Sequence, residues 1–464
     1  MSTRWAHTEA AAATGGIATA PFTATGVSID TRSLVAGDLF VALAGARDGH
    51  DFVADAFARG AAAAMVSADP PGVAADAPLL RVTDTLAGLR GLGQAARARA
   101  KATVIGVTGS VGKTGTKEAL AAVLAAQAPT HAAAASYNNH IGVPLTLARM
   151  PPEAQYAVLE IGMNHPGEIS PLARLARLDV AVITTVEAVH IEFFDSEEGI
   201  ADEKAAIMDG LTPGGAVVLN RDNRHFARLV AAAEAREVSR ILTFGTDPLA
   251  DVRLLSWQAE GWAMRAEIAL LGRSFPLRLA TPGLHAARNA CAVLAATFAA
   301  GADAEAALSV LETIAPAGGR GRRQRIRLAN GEATLIDDSY NASPVSVRAA
   351  LGVLGTVPAT RRIAVLGDMR ELGQHAEAEH LGLAAPIAAA GIDAVFCCGP
   401  FMRLLYEALP ASLRGGYAAD SAGLLPIVRA ALAPGDVVLV KGSLGSRMGP
   451  LAAALAGTPD GGTG

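Results

Sequence analysis

Between Thr103 and Leu120 the chain reads Thr-Val-Ile-Gly-Val-Thr-Gly-Ser-Val-Gly-Lys-Thr-Gly-Thr-Lys-Glu-Ala-Leu. A β-branched run passes into glycines and a Lys-Thr pair, then into a helical sequence. Strand, glycine-rich turn and helix in that order form a phosphate cradle. The stretch Gly109, Ser110, Val111, Gly112, Lys113, Thr114, Gly115 is the candidate: backbone N–H groups curl round phosphate oxygens, Lys113 brings a cation, and the Thr114 hydroxyl is offered to Mg²⁺. The helix that follows turns its positive end to the same anion. Val107 stands where the common form of this loop has a glycine, so the alternative is a plain Gly/Ser turn. The strand and helix flanks favour nucleotide binding.

Two more apolar runs end in chemistry. Tyr156-Ala-Val-Leu-Glu-Ile161 puts Glu160 at the carboxyl end of a strand, and Val180-Ala-Val-Ile-Thr-Thr185 is followed closely by His190. Ligands bind at such strand ends in open α/β sheets. A carboxylate on an apolar strand asks for a metal or a cationic partner. His190 taken alone reads equally as a capped loop histidine or a ligand.

The elements that must position these groups alternate strand and helix along the chain. From about 26 to 98 we expect a small α/β unit, with strands at 38–43, 63–66 and 79–82, a helix at 52–59, and polar turns at Ser28-Ile-Asp-Thr-Arg32 and Asp48-Gly-His50. A helix over 86–101 leads to the loop. From about 102 to 315 the pattern is that of a mostly parallel sheet with helices on both faces. It includes a strand at 216–219 and a long Ala-rich helix at 286–300 bearing Asn289. Pro316 to Arg325, rich in Gly and Arg, reads as a linker, and Arg320, Arg322, Arg323 and Arg325 as its solvated basic cluster. A third alternating pattern spans 326–455, with strands at 333–336, 363–366, 394–397 and 437–440. Asp337-Asp-Ser-Tyr-Asn-Ala leaves the first of these and Gly367-Asp-Met-Arg-Glu-Leu-Gly373 the second. The tail from 457 to 464 reads as disordered.

The 464 residues suit two to four domains, and 51% hydrophobic residues supply several cores. The formal charge of −5, with no basic block, argues against nucleic acid or an anionic membrane as main partner. Cys291, Cys397 and Cys398 have neither metal-ligand spacing nor a disulfide pattern. Met1-Ser-Thr-Arg-Trp lacks a charged segment followed by an apolar core, and no apolar run reaches membrane-spanning length, so a cytoplasmic protein is expected.

Together these stretches resemble the Mur ligases, ATP-dependent amide-forming enzymes of peptidoglycan precursor synthesis. Asp30-Thr-Arg, Gly37-Asp-Leu-Phe-Val-Ala-Leu and Asp48-Gly-His carry the likeness in the first unit. In the second it lies in Thr108-Gly-Ser-Val-Gly-Lys-Thr, Asn138-Asn-His-Ile-Gly-Val-Pro, Glu160-Ile-Gly-Met-Asn, Ala188-Val-His and Glu203-Lys; in the third, in Asp337-Asp-Ser-Tyr-Asn-Ala, Leu366-Gly-Asp-Met and Lys441-Gly-Ser. Gly115, where many relatives have a hydroxyl residue, and Leu444, where arginine is frequent, depart from the pattern.

The resemblance implies three α/β domains: a UDP-sugar-binding domain at 1–100, a central P-loop ATPase domain with a mostly parallel sheet at 101–318, and a Rossmann-like domain at 319–464. It implies ATP and Mg²⁺, with one ion at Thr114 and Glu160 and another at His190 and a carbamylated Lys204, and it makes Lys113, Glu160, His190 and Lys204 catalytic. Lys204 read from spacing alone is a surface lysine beside an acid. The likeness puts Asn289 near adenine, Arg320 with Asp337 or Asp338 on the nucleotide, Thr31 and Arg32 near the UDP end, Asn138 and Asn139 near sugar or peptide, and Tyr340 and Asn341 near the amine. The implied substrates are UDP-N-acetylmuramoyl-tripeptide and D-alanyl-D-alanine; a monomer is the simpler expectation. The rivals are another Mur or folylpolyglutamate-type ligase, against which the Asp-Thr-Arg turn speaks for a UDP-sugar, and a P-loop phosphotransferase.

Overall fold

The computed structural model describes residues 5–45, 47–133 and 135–457. The tail expected to be disordered lies, beyond Gly457, outside them.

The first unit is a five-stranded sheet in the order 17–18, 79–81, 63–66, 38–41, 26–28, parallel except for its first pair. Its core gathers Leu39, Val41, Met65 and Leu80 from the strands with Leu89 and Leu92 from the helix Thr85–Arg99. That core also takes in Leu145 and Ala148 from the helix Gly142–Ala148, which belongs to the central unit. Trp5, fully buried, donates its indole N–H to the Ala148 carbonyl at 3.1 Å, and Arg149 Nε donates to the Val27 carbonyl at 2.6 Å. The first and central units therefore share one apolar interior.

The central unit carries a nine-stranded sheet in the order 273–279, 263–270, 252–260, 240–245, 211–220, 178–183, 103–108, 156–160, 130–132. Its parallel strands are covered on both faces, which is why they read as unbroken apolar runs. Along the strand that precedes the phosphate loop, Val104 enters one core and Ile105 the other. The antiparallel meander over 252–279 was not expected. Its signal is the alternation Met264-Arg-Ala-Glu-Ile-Ala-Leu270, the mark of a strand with one face in the core.

The third unit is a six-stranded sheet in the order 322–328, 331–338, 436–441, 361–367, 394–398, 414–418, parallel except for its first pair. This corrects the linker: Arg322–Leu328 is an edge strand, not a loop. Ile326 is buried while Arg325 and Arg327 are exposed, and a two-residue turn at 329–330 returns the chain into Gly331–Asp338. Exposed cations on an edge strand discourage pairing with other chains. The connection shrinks to the residues after helix Ala304–Leu311 and before Arg322. Among the described residues no helix is long and apolar enough to cross a membrane.

Candidate active site

A cavity of about 1750 Å³ opens where the three units meet, and the phosphate loop forms part of its wall. The loop joins strand Thr103–Thr108 to helix Lys113–Ala125. Gly109 has φ +141°, and a Cβ there would lie 2.0 Å from Thr184 Oγ1, so only glycine fits. The end of the next strand clamps the loop: Thr184 Oγ1 donates to the Val111 carbonyl at 2.6 Å and Ser110 N donates to the Thr185 carbonyl at 2.8 Å. The Ser110 hydroxyl donates to the Glu187 carbonyl at 3.0 Å and accepts from Glu187 N at 2.9 Å. Ser110, expected on phosphate, thus spends both groups on shaping the loop. Lys113 Nζ donates to the carbonyls of Gly109 at 2.6 Å and Ser110 at 3.3 Å. Burial lowers its pKa, Glu160 opposes the shift and Arg320 adds to it.

Glu160 is 2% exposed, and its Oε2 accepts from Thr114 Oγ1 at 2.7 Å while Oε1 accepts from Asn138 Nδ2 at 2.8 Å. Among the described residues no cation pairs with it. A buried carboxylate with only neutral donors retains an affinity for a cation. One carboxylate and one hydroxyl beside a phosphate loop is the oxygen-rich, incomplete set that Mg²⁺ uses when phosphate and water supply the remainder. The residues present fit that ion. Ser136 extends the chain of contacts, with its Oγ 3.3 Å from Thr114 Oγ1 and accepting from Arg320 Nη2 at 3.1 Å. Asn139 lines the cavity but uses its side-chain oxygen on Ile141 N and Gly142 N, starting the helix that enters the first unit.

His190, at φ +63°, places Nδ1 2.5 Å from Glu371 Oε2 of the third unit, and among the described residues its Nε2 has no partner. A carboxylate that fixes one ring nitrogen orients the other toward an ion, although an imidazole is an uncommon Mg²⁺ ligand. The hydrogen bond from His190 holds the Glu371 carboxyl below its ordinary range, against a smaller effect of burial.

Lys204 overturns its surface reading. It is 2% exposed on helix Glu197–Ala205, and among the described residues its ammonium has no hydrogen bond or ion pair. The neighbouring acids are occupied: Glu203 accepts from Gly167 N and Ile169 N, and Asp202 pairs with Arg228. Burial, followed by the charge of Lys113, pushes its pKa well below the lysine range, opposed by Glu203. Lys204 is not among the residues that line the cavity. Three or more His, Cys, Asp or Glu side chains converge on no common point among the described residues.

On the opposite side Asn289, in helix Leu284–Ala299, abuts Gly112: a Cβ on that glycine would lie 2.8 Å from Asn289 Oδ1. Lys441, 3% exposed, donates to Asp338 Oδ2 at 2.6 Å and to the Asn341 carbonyl at 2.9 Å. Of the two acids that the resemblance offered as alternatives on the nucleotide, Asp338 lines the cavity and Asp337 does not. Neighbours in a strand face opposite ways, and Asp337 instead accepts from Gly319 N at 3.1 Å and from the Ser339 hydroxyl at 2.5 Å. The Arg320 guanidinium lies 4.0 Å over the Tyr340 ring, and Tyr340 and Asn341 both line the cavity.

In the first unit the polar turns are more structural than expected. Arg32 pairs with Asp30 at 2.6 Å on the surface, Thr31 is buried, and neither lines this cavity. His50 is buried, with Nδ1 2.6 Å from Asp48 Oδ1 and Nε2 accepting from Ser67 N at 3.0 Å, so it ties two turns together. The sequence reading missed Ser136, Thr184, Glu371, Trp257 and Trp262. Ser136 and Glu371 stand beside stretches already singled out, Asn138-Asn and Gly367-Asp-Met. Nothing in the local sequence marks the tryptophans.

Three family models match the chain: Mur ligase family, catalytic domain, at 23–97; Mur ligase middle domain at 107–297; and Mur ligase, glutamate ligase domain, at 321–444. It is 36% identical over 444 residues to the UDP-N-acetylmuramoyl-tripeptide--D-alanyl-D-alanine ligase of Escherichia coli, covering 95% of this chain and 96% of that one. With the enzyme of that name from Bacillus subtilis it shares 35% identity over 91% of each chain. A crystal structure of MurF from Acinetobacter baumannii superposes with a TM-score of 0.85 at 30% identity, covering 98% of this chain and all of that one. MurF ligase from Thermotoga maritima in complex with ADP superposes with a TM-score of 0.77 at 25% identity, over 93% and 96% of the two chains.

Proposed function

The chain belongs to the Mur ligase family, and on that premise we propose how its residues carry out the family's chemistry. It is an ATP-dependent ligase that joins D-alanyl-D-alanine to UDP-N-acetylmuramoyl-tripeptide in peptidoglycan precursor synthesis. A carboxylate does not condense with an amine at neutral pH without activation. ATP supplies it by phosphorylating the tripeptide carboxylate, and the amine then displaces phosphate through a tetrahedral intermediate.

Positioning and charge neutralisation account for most of such a phosphoryl transfer. Lys113, the loop N–H groups and the start of the loop helix hold the triphosphate. Thr114 and Glu160 would hold Mg²⁺, and His190 with a carbamylated Lys204 would be the ligands of a second ion; such ions would supply neutralisation of phosphate oxygens. Lys204, buried with its charge disfavoured, is inclined to the neutral amine that reacts with CO₂. Asn289 faces the nucleotide from the central unit, and Arg320 and Asp338 from the third. Asn138 orients the Glu160 carboxylate, while Tyr340 and Asn341 meet the amine.

We assign 1–100 to the UDP-sugar, with Thr31 and Arg32 at its diphosphate end, 101–318 to ATP, and 319–464 to the amine. We read the enzyme as a cytoplasmic monomer, in keeping with three buried, unpaired cysteines.

The observation that carries this reading is the Thr114–Glu160–Asn138 contact at the phosphate loop, facing the Asp338–Lys441 pair across one cavity. The test is phosphate release with ATP and UDP-N-acetylmuramoyl-tripeptide, with and without D-alanyl-D-alanine. Release that depends on the dipeptide supports the ligase. Equal release without either substrate favours a plain ATPase and overturns it.

A further inference from the structure

Trp257 is a large aromatic residue on a strand face that should be covered, yet it is 41% exposed. In the meander, strand Val252–Glu260 pairs with Ala263–Leu270, and Leu254 lies opposite Ile268 while Ser256 lies opposite Glu267. Leu255 is therefore an extra residue, a bulge. Without it Trp257 would lie opposite Arg265, on the solvent face. With it Trp257 lies opposite Ala266, on the face that carries the core residues Met264, Ala266 and Ile268. Bulges beside functional sites redirect a side chain in this way.

The helix Leu284–Ala299 covers that face of the meander, and at its N-terminal end Gly283, Leu284 and Asn289 line the cavity together with Trp257. Asn289 in turn abuts Gly112 of the phosphate loop. The phosphate loop, Asn289 and the indole therefore line one and the same cavity. The other tryptophan of the meander already has partners: Arg323 lies 4.9 Å over the Trp262 ring, which packs against the third unit's core. Trp257, among the described residues, has neither a ring nor a cation partner, and its N–H makes no hydrogen bond.

We propose that Trp257 is the stacking platform for the adenine base of ATP. This rests on the reading that the triphosphate occupies the loop at 109–115, and it adds the residue that recognises the base. An exposed indole face on the wall of this cavity suits a flat heteroaromatic ring, and stacking of a base on an aromatic side chain is strong enough to read in affinity.

The test compares Trp257→Leu and Trp257→Phe with the parent, at saturating UDP-N-acetylmuramoyl-tripeptide and D-alanyl-D-alanine. Trp257→Leu raises KM for ATP about tenfold and Trp257→Phe about twofold, while kcat stays within about twofold. Inorganic tripolyphosphate, which has phosphates and no base, inhibits all three with the same Ki. In a Trp262→Phe background, ADP quenches tryptophan fluorescence, and further replacement of Trp257 by Phe abolishes the quench, so the test survives poor folding of the Leu variant. An unchanged KM for ATP overturns the proposal. So does a parallel rise in the tripolyphosphate Ki, which makes the effect one on the loop, or a rise confined to KM for the UDP substrate, which moves the residue to the uracil. A parent that fails to bind ATP overturns the ligase reading itself.

Discussion

Replacing Glu371 by Gln should loosen the third unit from the central one. Among the contacts that join the two are His190 with Glu371, Glu192 N–H donating to the Glu371 carbonyl at 3.4 Å, Ser136 with Arg320, and Trp262 under Arg323 and against the third unit's core. In the His190–Glu371 pair the histidine side chain is 14% exposed and the glutamate 40%. That places it between a surface pair, worth about 0.2–1 kcal/mol, and a buried one, whose breakage costs about 3–5 kcal/mol. A value of about 1–2 kcal/mol shifts the balance of closed and open forms roughly 5- to 30-fold. Small-angle scattering reads the result directly. A compact chain of this length has a radius of gyration of about 23 Å. The Glu371→Gln protein without ligands should exceed the parent, and both should contract when a non-hydrolysable nucleotide and the UDP-peptide are added. The pH dependence has a definite sign. The carboxyl of Glu371 is lowered by its bond to His190, so the closure it stabilises is complete above the ordinary carboxylate range and is lost as pH falls through the lowered value. Identical dimensions for parent and variant, and no contraction with ligands, would refute both the latch and the hinge.

Lys113→Ala should abolish amide formation, a loss of at least about 10³-fold, while thermal melting shows a stability change under about 2 kcal/mol, since only two loop carbonyls lose a donor; near-normal turnover would remove the nucleotide assignment. Lys204→Arg should be inactive and Lys204→Glu partly active, because glutamate supplies a carboxylate where the carbamate would stand and arginine keeps a charge that burial disfavours. An arginine variant as active as the parent sinks the carbamate. Asp338→Asn leaves Lys441 charged in a buried place and should destabilise the third unit by about 3 kcal/mol, read as faster hydrogen exchange in strand Asp436–Lys441; Lys441→Met, which leaves no buried cation, should cost less. The reverse order would show that the pair is not desolvated.

What could be read from the sequence was what is local. The phosphate loop and Glu160 at the end of its strand are consecutive residues in a periodic context, and the structure places them side by side. Asp337 and Asp338 show the limit: adjacent residues in a strand face apart, and which one faces the cavity depends on a core on the other side that their own sequence does not encode. Arg322 to Arg325 read as a linker because glycine and arginine are common in linkers, whereas the buried Ile326 and the tight return at 329–330 make an edge strand of them. Lys204 looks exposed by composition and is buried because helix Glu197–Ala205 packs against the central core, with Ile200 and Ala201 beside it. Trp257 depends on a single extra residue in a strand, a shift of register that hydrophobic pattern does not mark.

The apolar interior shared by the first two units bears on how the chain can be divided. Leu145 and Ala148 lie in sequence within the central unit but complete the interior formed by Leu89, Leu92 and Met65. A cut near residue 100 would therefore open a hydrophobic surface on both fragments, and these 300 or so residues should melt together as one cooperative body. Beyond the short segment before Arg322 the chain encloses its own two cores, so the last unit is the part that could be exchanged between related enzymes. If, as proposed, that unit meets the amine, swapping it should change which amine is accepted and leave ATP-dependent activation of the carboxylate in place.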